Sequence, residues 1–155
     1  MELDPASIIP APPQGHLEAV EAYYEIKLPE DYKRFVNSSN GAVPRTARFD
    51  ANGLERMIER FLPVLQDAED DPLGWLELEV VASQLDSRLS DDPDGENINL
   101  IPIAALFAGN FVVLDYRKGP SNPTVGFWDH EASDDFAPAV TTVAKSFSEF
   151  LSILR

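Results

Sequence analysis

Apolar residues follow one another without alternation through Asn110-Phe111-Val112-Val113-Leu114-Asp115-Tyr116. They do so again through Thr124-Val125-Gly126-Phe127-Trp128. Short β-branched and aromatic runs of this kind predict strands buried on both faces. Between them, Arg117-Lys118-Gly119-Pro120-Ser121-Asn122-Pro123 is dense in turn formers, so the two runs predict a hairpin. The second run ends in the polar triplet Asp129-His130-Glu131. A hairpin alone is marginal in water, so the rest of the chain must cover it.

The cover is legible in the same way. Residues 1–13 hold Pro5, Pro10, Pro12 and Pro13 without periodicity and predict an irregular lead-in. Residues 14–155 then read as one domain. Leu17, Val20 and Tyr24 share a helical face. Leu28-Pro29-Glu30-Asp31 starts a second helix, with Pro29 at its first position and acids in the first turn. Asn40-Gly41 ends it, with Gly41 open to a left-handed cap. Asn52-Gly53 predicts a tight turn after a short strand at Thr46–Phe49, and Arg56–Leu62 reads either as its partner strand or as a helical turn. After Asp70-Asp71-Pro72 a long helix is expected, with Leu78, Val81, Ala82, Leu85 and Leu89 on its inner face. Leu100–Ala104 reads as a strand that Pro102 should confine to an edge. Ser133-Asp134-Asp135 reads as a polar loop and Val140–Ala144 as a last strand. Ser146 and Glu149 fit a capping box ahead of a terminal helix. The order predicts an α+β fold, a mostly antiparallel central sheet flanked by helices.

Charge changes the picture. The formal net charge is −15, and residues 66–96 hold eleven acids and one base, Arg88. Nucleic acid and anionic membrane surfaces are therefore excluded as expected partners. An acidic surface commonly serves solubility; it can also dock a basic partner. Arg45, Arg48, Arg56 and Arg60 form the one basic concentration and are expected to balance the acidic segment internally. The chain has no cysteine, which rules out disulfides, thiolate metal sites and cysteine nucleophiles. With no signal-peptide pattern and no apolar run of membrane length, a cytoplasmic protein is expected.

The residues offer little for catalysis. His16 and His130 are the two histidines and lie far apart; nucleophile elbow, phosphate loop and dinucleotide glycine patterns are missing. Around Asp92-Pro93-Asp94-Gly95 a calcium loop would start at Ser90 and end at Ile101. The bidentate acid is then missing, so a solvated loop is expected. In a strand, Asp129 and Glu131 would share a face opposite His130, poor geometry for one ion; the ordinary role of such a triplet is to end the strand. Trp75 and Trp128 are expected in core or rim packing. No catalytic residue, metal or cofactor is expected.

Leu28-Pro29-Glu30-Asp31-Tyr32-Lys33-Arg34-Phe35 followed by Asn40-Gly41 resembles the opening of the SUKH superfamily, the Smi–Knr-like proteins. So do Ile101–Ala104, Gly109–Asp115, Val125–Glu131 and Ala144–Leu151, in the family's order. The resemblance implies that fold. Bacterial members look like immunity proteins that neutralise a cognate toxin, often a nuclease, encoded beside them; fungal relatives look like regulators of cell-wall synthesis and signalling. It carries no catalytic residues over. It raises docking to an equal footing with solubility. The expected partner is a basic toxin domain, such as a nuclease, with binding by a regulatory scaffold as the alternative. Candidate binding residues are Asp91, Asp92, Asp94 and Glu96, with Asp129, Glu131, Asp134 and Asp135 as a second rim.

Overall fold

The computed structural model describes residues 1–89, 99–134 and 137–155. Six strands run in simple sequence order, each antiparallel to the next: β1 (Arg48–Ala51), β2 (Leu54–Phe61), β3 (Leu100–Leu106), β4 (Phe111–Asp115), β5 (Thr124–Asp134) and β6 (Ala137–Ala144). The helices are α1 (His16–Tyr24), α2 (Glu30–Ser39), α3 (Leu78–Leu89) and α4 (Phe147–Ile153). The sheet curls until its first turn meets its last strand, where Thr141 Oγ1 donates to Asn52 Oδ1 at 2.8 Å.

The β4–β5 hairpin lies where the sequence puts it, in register from Phe111↔Trp128 to Asp115↔Thr124. It is buried on both faces, because each face has its own helical cover. On one side Val112, Leu114, Val125 and Phe127 join the main core. There α2 and α4 lock together through Phe147, which meets Tyr32 and Phe35 with ring centroids 5.3 Å away in each case. On the other side Val113 and Trp128 pack with Leu85 of α3 and Leu100. Three buried positions of α1 (Leu17, Val20, Tyr24) are those the periodicity selects.

Four expectations are corrected. First, β3 is central rather than an edge strand, since it pairs with both β2 and β4. Its register against β4 slips between Pro102 and Ala104, so the missing proline N–H falls at an irregularity of the ladder. Second, Asp129-His130-Glu131 does not end its strand: β5 continues to Asp134, and Ser133 and Asp134 are strand residues rather than loop. The strand survives the polar residues because its pairing with β6 slips between Asp129 and Asp134. Third, α3 begins at Leu78, several residues after Pro72. Residues 74–76 form a 3₁₀ turn, and Glu77 is extended at φ −57°, ψ 139°. Pro29 likewise sits one position earlier than expected, at the N-cap of α2.

The polar residues of the family-like motifs act as stitches. The buried Asn40 side chain donates to the Pro10 carbonyl at 3.0 Å and the Val64 carbonyl at 2.9 Å, and accepts from the Val64 amide at 2.9 Å. It thereby ties the lead-in, the end of α2 and the chain beyond β2. Gly41 has φ 66°, as the cap after α2 requires. Asp31 Oδ2 accepts from the Ser148 amide at 2.8 Å and the Ser148 hydroxyl at 2.6 Å, joining α2 to α4. Ser146 caps α4 through the Glu149 amide at 3.1 Å. Glu149 reaches back to the Lys145 amide, one residue earlier than an ideal capping box.

Candidate protein-binding surface

Residues 67–79 hold six carboxylates, Asp67, Glu69, Asp70, Asp71, Glu77 and Glu79, and no base. Two of them build the segment. Asp71 accepts from the Leu73 amide at 2.8 Å and closes the turn ahead of residue 74. Glu77 is buried and caps α3, accepting from the Glu79 amide at 2.7 Å and the Val80 amide at 3.1 Å. Burial pushes the Glu77 carboxyl above its ordinary range, against the pull of those amides, and the neighbouring Glu79 charge adds to the rise. Glu69 and Asp70 are exposed. Among the described residues, no Lys or Arg forms a salt bridge with any of the six.

Arg45, Arg48, Arg56 and Arg60 are engaged elsewhere, and this corrects the expectation that they balance the acidic segment. Arg45 pairs with Asp4 and Arg48 with Glu55. Arg56 lies over the Phe127 ring, its guanidinium carbon 4.5 Å from the centroid. Arg60 donates to the Gly41 carbonyl at 2.5 Å. Lys33 pairs with Glu21, Arg117 with Asp115, and Arg155 with Asp50 and Glu55. Only the Arg48–Glu55 pair spans β1 and β2, and it does so diagonally, since Arg48 stands opposite Met57; the other three arginines meet the lead-in, an aromatic ring and a backbone carbonyl.

Of the sequence-selected residues, Asp91, Asp92, Asp94, Glu96 and Asp135 lie outside the described residues, as does the loop considered for calcium. Asp134 is the last residue of β5 and is paired with Ala137. Glu131 is exposed. Asp129 is half-buried and its Oδ1 is turned inward, accepting from the Glu131 amide at 2.9 Å and the Ala132 amide at 3.1 Å. It shapes the irregular stretch of β5. His130 donates its amide to Asn110 Oδ1 at 2.8 Å and sets its ring edge-on to Trp128. Residues 129–134 leave the end of β4 beyond Phe111↔Trp128, whereas Leu100 pairs with Asp115 at its other end. Among the described residues no three His, Asp or Glu side chains are grouped to hold a metal ion. No helix among them is long and apolar enough to cross a membrane.

The two tryptophans part company. Trp128 is core, 1% exposed, whereas Trp75 is 69% exposed in the midst of the acidic segment. Sequence reasoning put both into packing. The signal separating them is context: Trp128 sits in an unbroken β-like run, while Trp75 follows Gly74 in a stretch without strand or helix period.

No curated protein and no solved structure gives a significant match to this chain. A family model does, over residues 12–153, and it spans the sheet, all four helices and the Asn40 and Asp31 stitches. The chain belongs to the SMI1 / KNR4 family (SUKH-1).

Proposed function

We propose that this chain is an immunity protein: it binds a cognate toxin domain in the cytoplasm and neutralises it by occupying its surface, without catalysis of its own. Members of this family commonly bind toxins in that role. The observation that carries the reading to this chain is the carboxylate surplus of residues 67–79, which meets no base among the described residues. Surplus surface charge steers association with a basic partner and raises the encounter rate. A nuclease fits best, since its substrate groove must be basic to hold phosphates. A chain carrying −15 would fill that groove and exclude nucleic acid.

The proposed docking acids are Asp91, Asp92, Asp94 and Glu96, together with the exposed carboxylates of residues 67–79. Asp129, Glu131, Asp134 and Asp135 are the second candidate set, with Asp129 also holding the backbone of β5. The test is co-expression with the product of the adjacent gene, which this reading expects to carry a toxin domain. Wild type should restore growth and co-purify with the toxin. The triple variant Asp91→Lys, Asp92→Lys, Asp94→Lys should lose protection while its melting temperature stays near wild type. Protection by the triple variant removes that loop from the interface. Failure of the wild type to bind or protect removes the immunity reading and leaves a regulatory scaffold.

A further inference from the structure

Trp75 is exposed by construction. The residue before it, Gly74, is buried so tightly that a Cβ there would stand 1.7 Å from the Ala68 carbonyl oxygen. Its amide donates to the Asp71 carbonyl at 2.9 Å. The residue after it, Leu76, packs against the main core, and its amide closes the turn onto the Leu73 carbonyl at 2.9 Å. Glu77 then anchors α3 from a buried position. Backbone on both sides of Trp75 is thus fixed, yet the indole stands in water at 69% exposure. Nothing in the packing requires a tryptophan there. A large exposed aromatic on a fixed backbone loses little conformational entropy on binding, and such residues dominate binding energy at interfaces.

Its surroundings specify the partner. Glu69 and Asp70 are exposed and Glu79 is half-exposed, none of them in a salt bridge among the described residues. An exposed indole in a segment rich in carboxylates suits a guanidinium, which stacks on the ring while its edge can reach an acid.

We propose that Trp75 is the anchor of a docking surface for an arginine-bearing protein face, with Glu69, Asp70 and Glu79 supplying the opposite charge. This deepens the immunity reading by naming where a basic toxin would seat, and rests on it for the identity of the partner. The chemistry can be tested without any toxin. The full chain is titrated at low salt with a decaarginine peptide and, separately, a decalysine peptide, followed by tryptophan emission and calorimetry. Trp75 emission should change saturably, and Trp75→Phe should abolish the change, because Trp128 is buried. Trp75→Ala should weaken decaarginine binding about threefold or more with an unchanged melting temperature. Glu69→Lys with Asp70→Lys should weaken it further, and decaarginine should outbind decalysine. No peptide binding, or binding that ignores Trp75→Ala and leaves the emission unmoved, overturns the proposal. Either result is separable from a failed immunity reading, which shows instead as an unmodified chain that binds no toxin.

Discussion

Asn40 makes three hydrogen bonds from one buried side chain, and each holds a different piece of chain or a different group of the same strand end. Removing a buried polar partner leaves desolvated groups behind, at about 1–3 kcal/mol per group. Asn40→Ala should therefore cost about 2–4 kcal/mol in chemical denaturation, a large share of the stability of a domain this size. Gly74→Ala should cost about 1–3 kcal/mol as well, since the added methyl would overlap the Ala68 carbonyl. Two carboxyls should give stability opposite slopes with pH. For Asp31, burial works upward, but the Ser148 hydroxyl and amide and the Tyr32 amide prevail and hold it below its ordinary value. Its contribution is present above the unfolded-state value, near 4, and is lost as pH falls through the lower folded one. For Glu77, burial prevails and the folded carboxyl lies above its ordinary value. Its charged form costs the fold, so that cost is relieved as pH falls from neutrality through the folded value. Denaturation midpoints across acidic pH should fall less steeply for Asp31→Asn than for wild type. Glu77→Gln should fall more steeply, having lost the compensating gain.

At the scale of elements, periodicity located α1, α2, α4 and the β4–β5 hairpin because each carries one clean signal: a 3.6-residue stripe, a cap, or an unbroken apolar run. It failed where two rules competed. Pro102 argued for an edge, but a register slip let β3 keep neighbours on both sides. Asp129-His130-Glu131 argued for a strand end, but Asp129 satisfies the amides of a bulged strand and β5 goes on to Asp134. The site was less legible than the fold. Acidity is visible in composition, but whether an acid is free depends on which bases reach it, and pairing across β1 and β2 cannot be read before the ladder is known. Trp75 was missed for the same reason, because exposure follows from Gly74 and Leu76 being held inward. The cap on α4 offers a clean check: Ser146→Ala should lower stability by about 1 kcal/mol, while Ser146→Asp should be nearly neutral.

At the scale of the molecule, the fold and the charge divide the work. The motif residues that resemble the SMI1 / KNR4 family sit in helix caps, stitches and the sheet core, so they fix architecture rather than surface chemistry. Net charge of −15 is left to the surface, where self-repulsion opposes compactness. Raising salt from about 10 mM to about 200 mM shortens the screening length from about 30 Å to under 10 Å, so the melting temperature should rise over that range. Binding should respond in the opposite sense. The most direct measurement is the dissociation constant of the wild-type chain for the product of the adjacent gene, by calorimetry at the same two salt concentrations. The expected result is a one-to-one complex that weakens at least about tenfold at the higher salt through lost electrostatic attraction. A complex of equal strength at both concentrations, or no complex at all, would contradict neutralisation through an acidic surface.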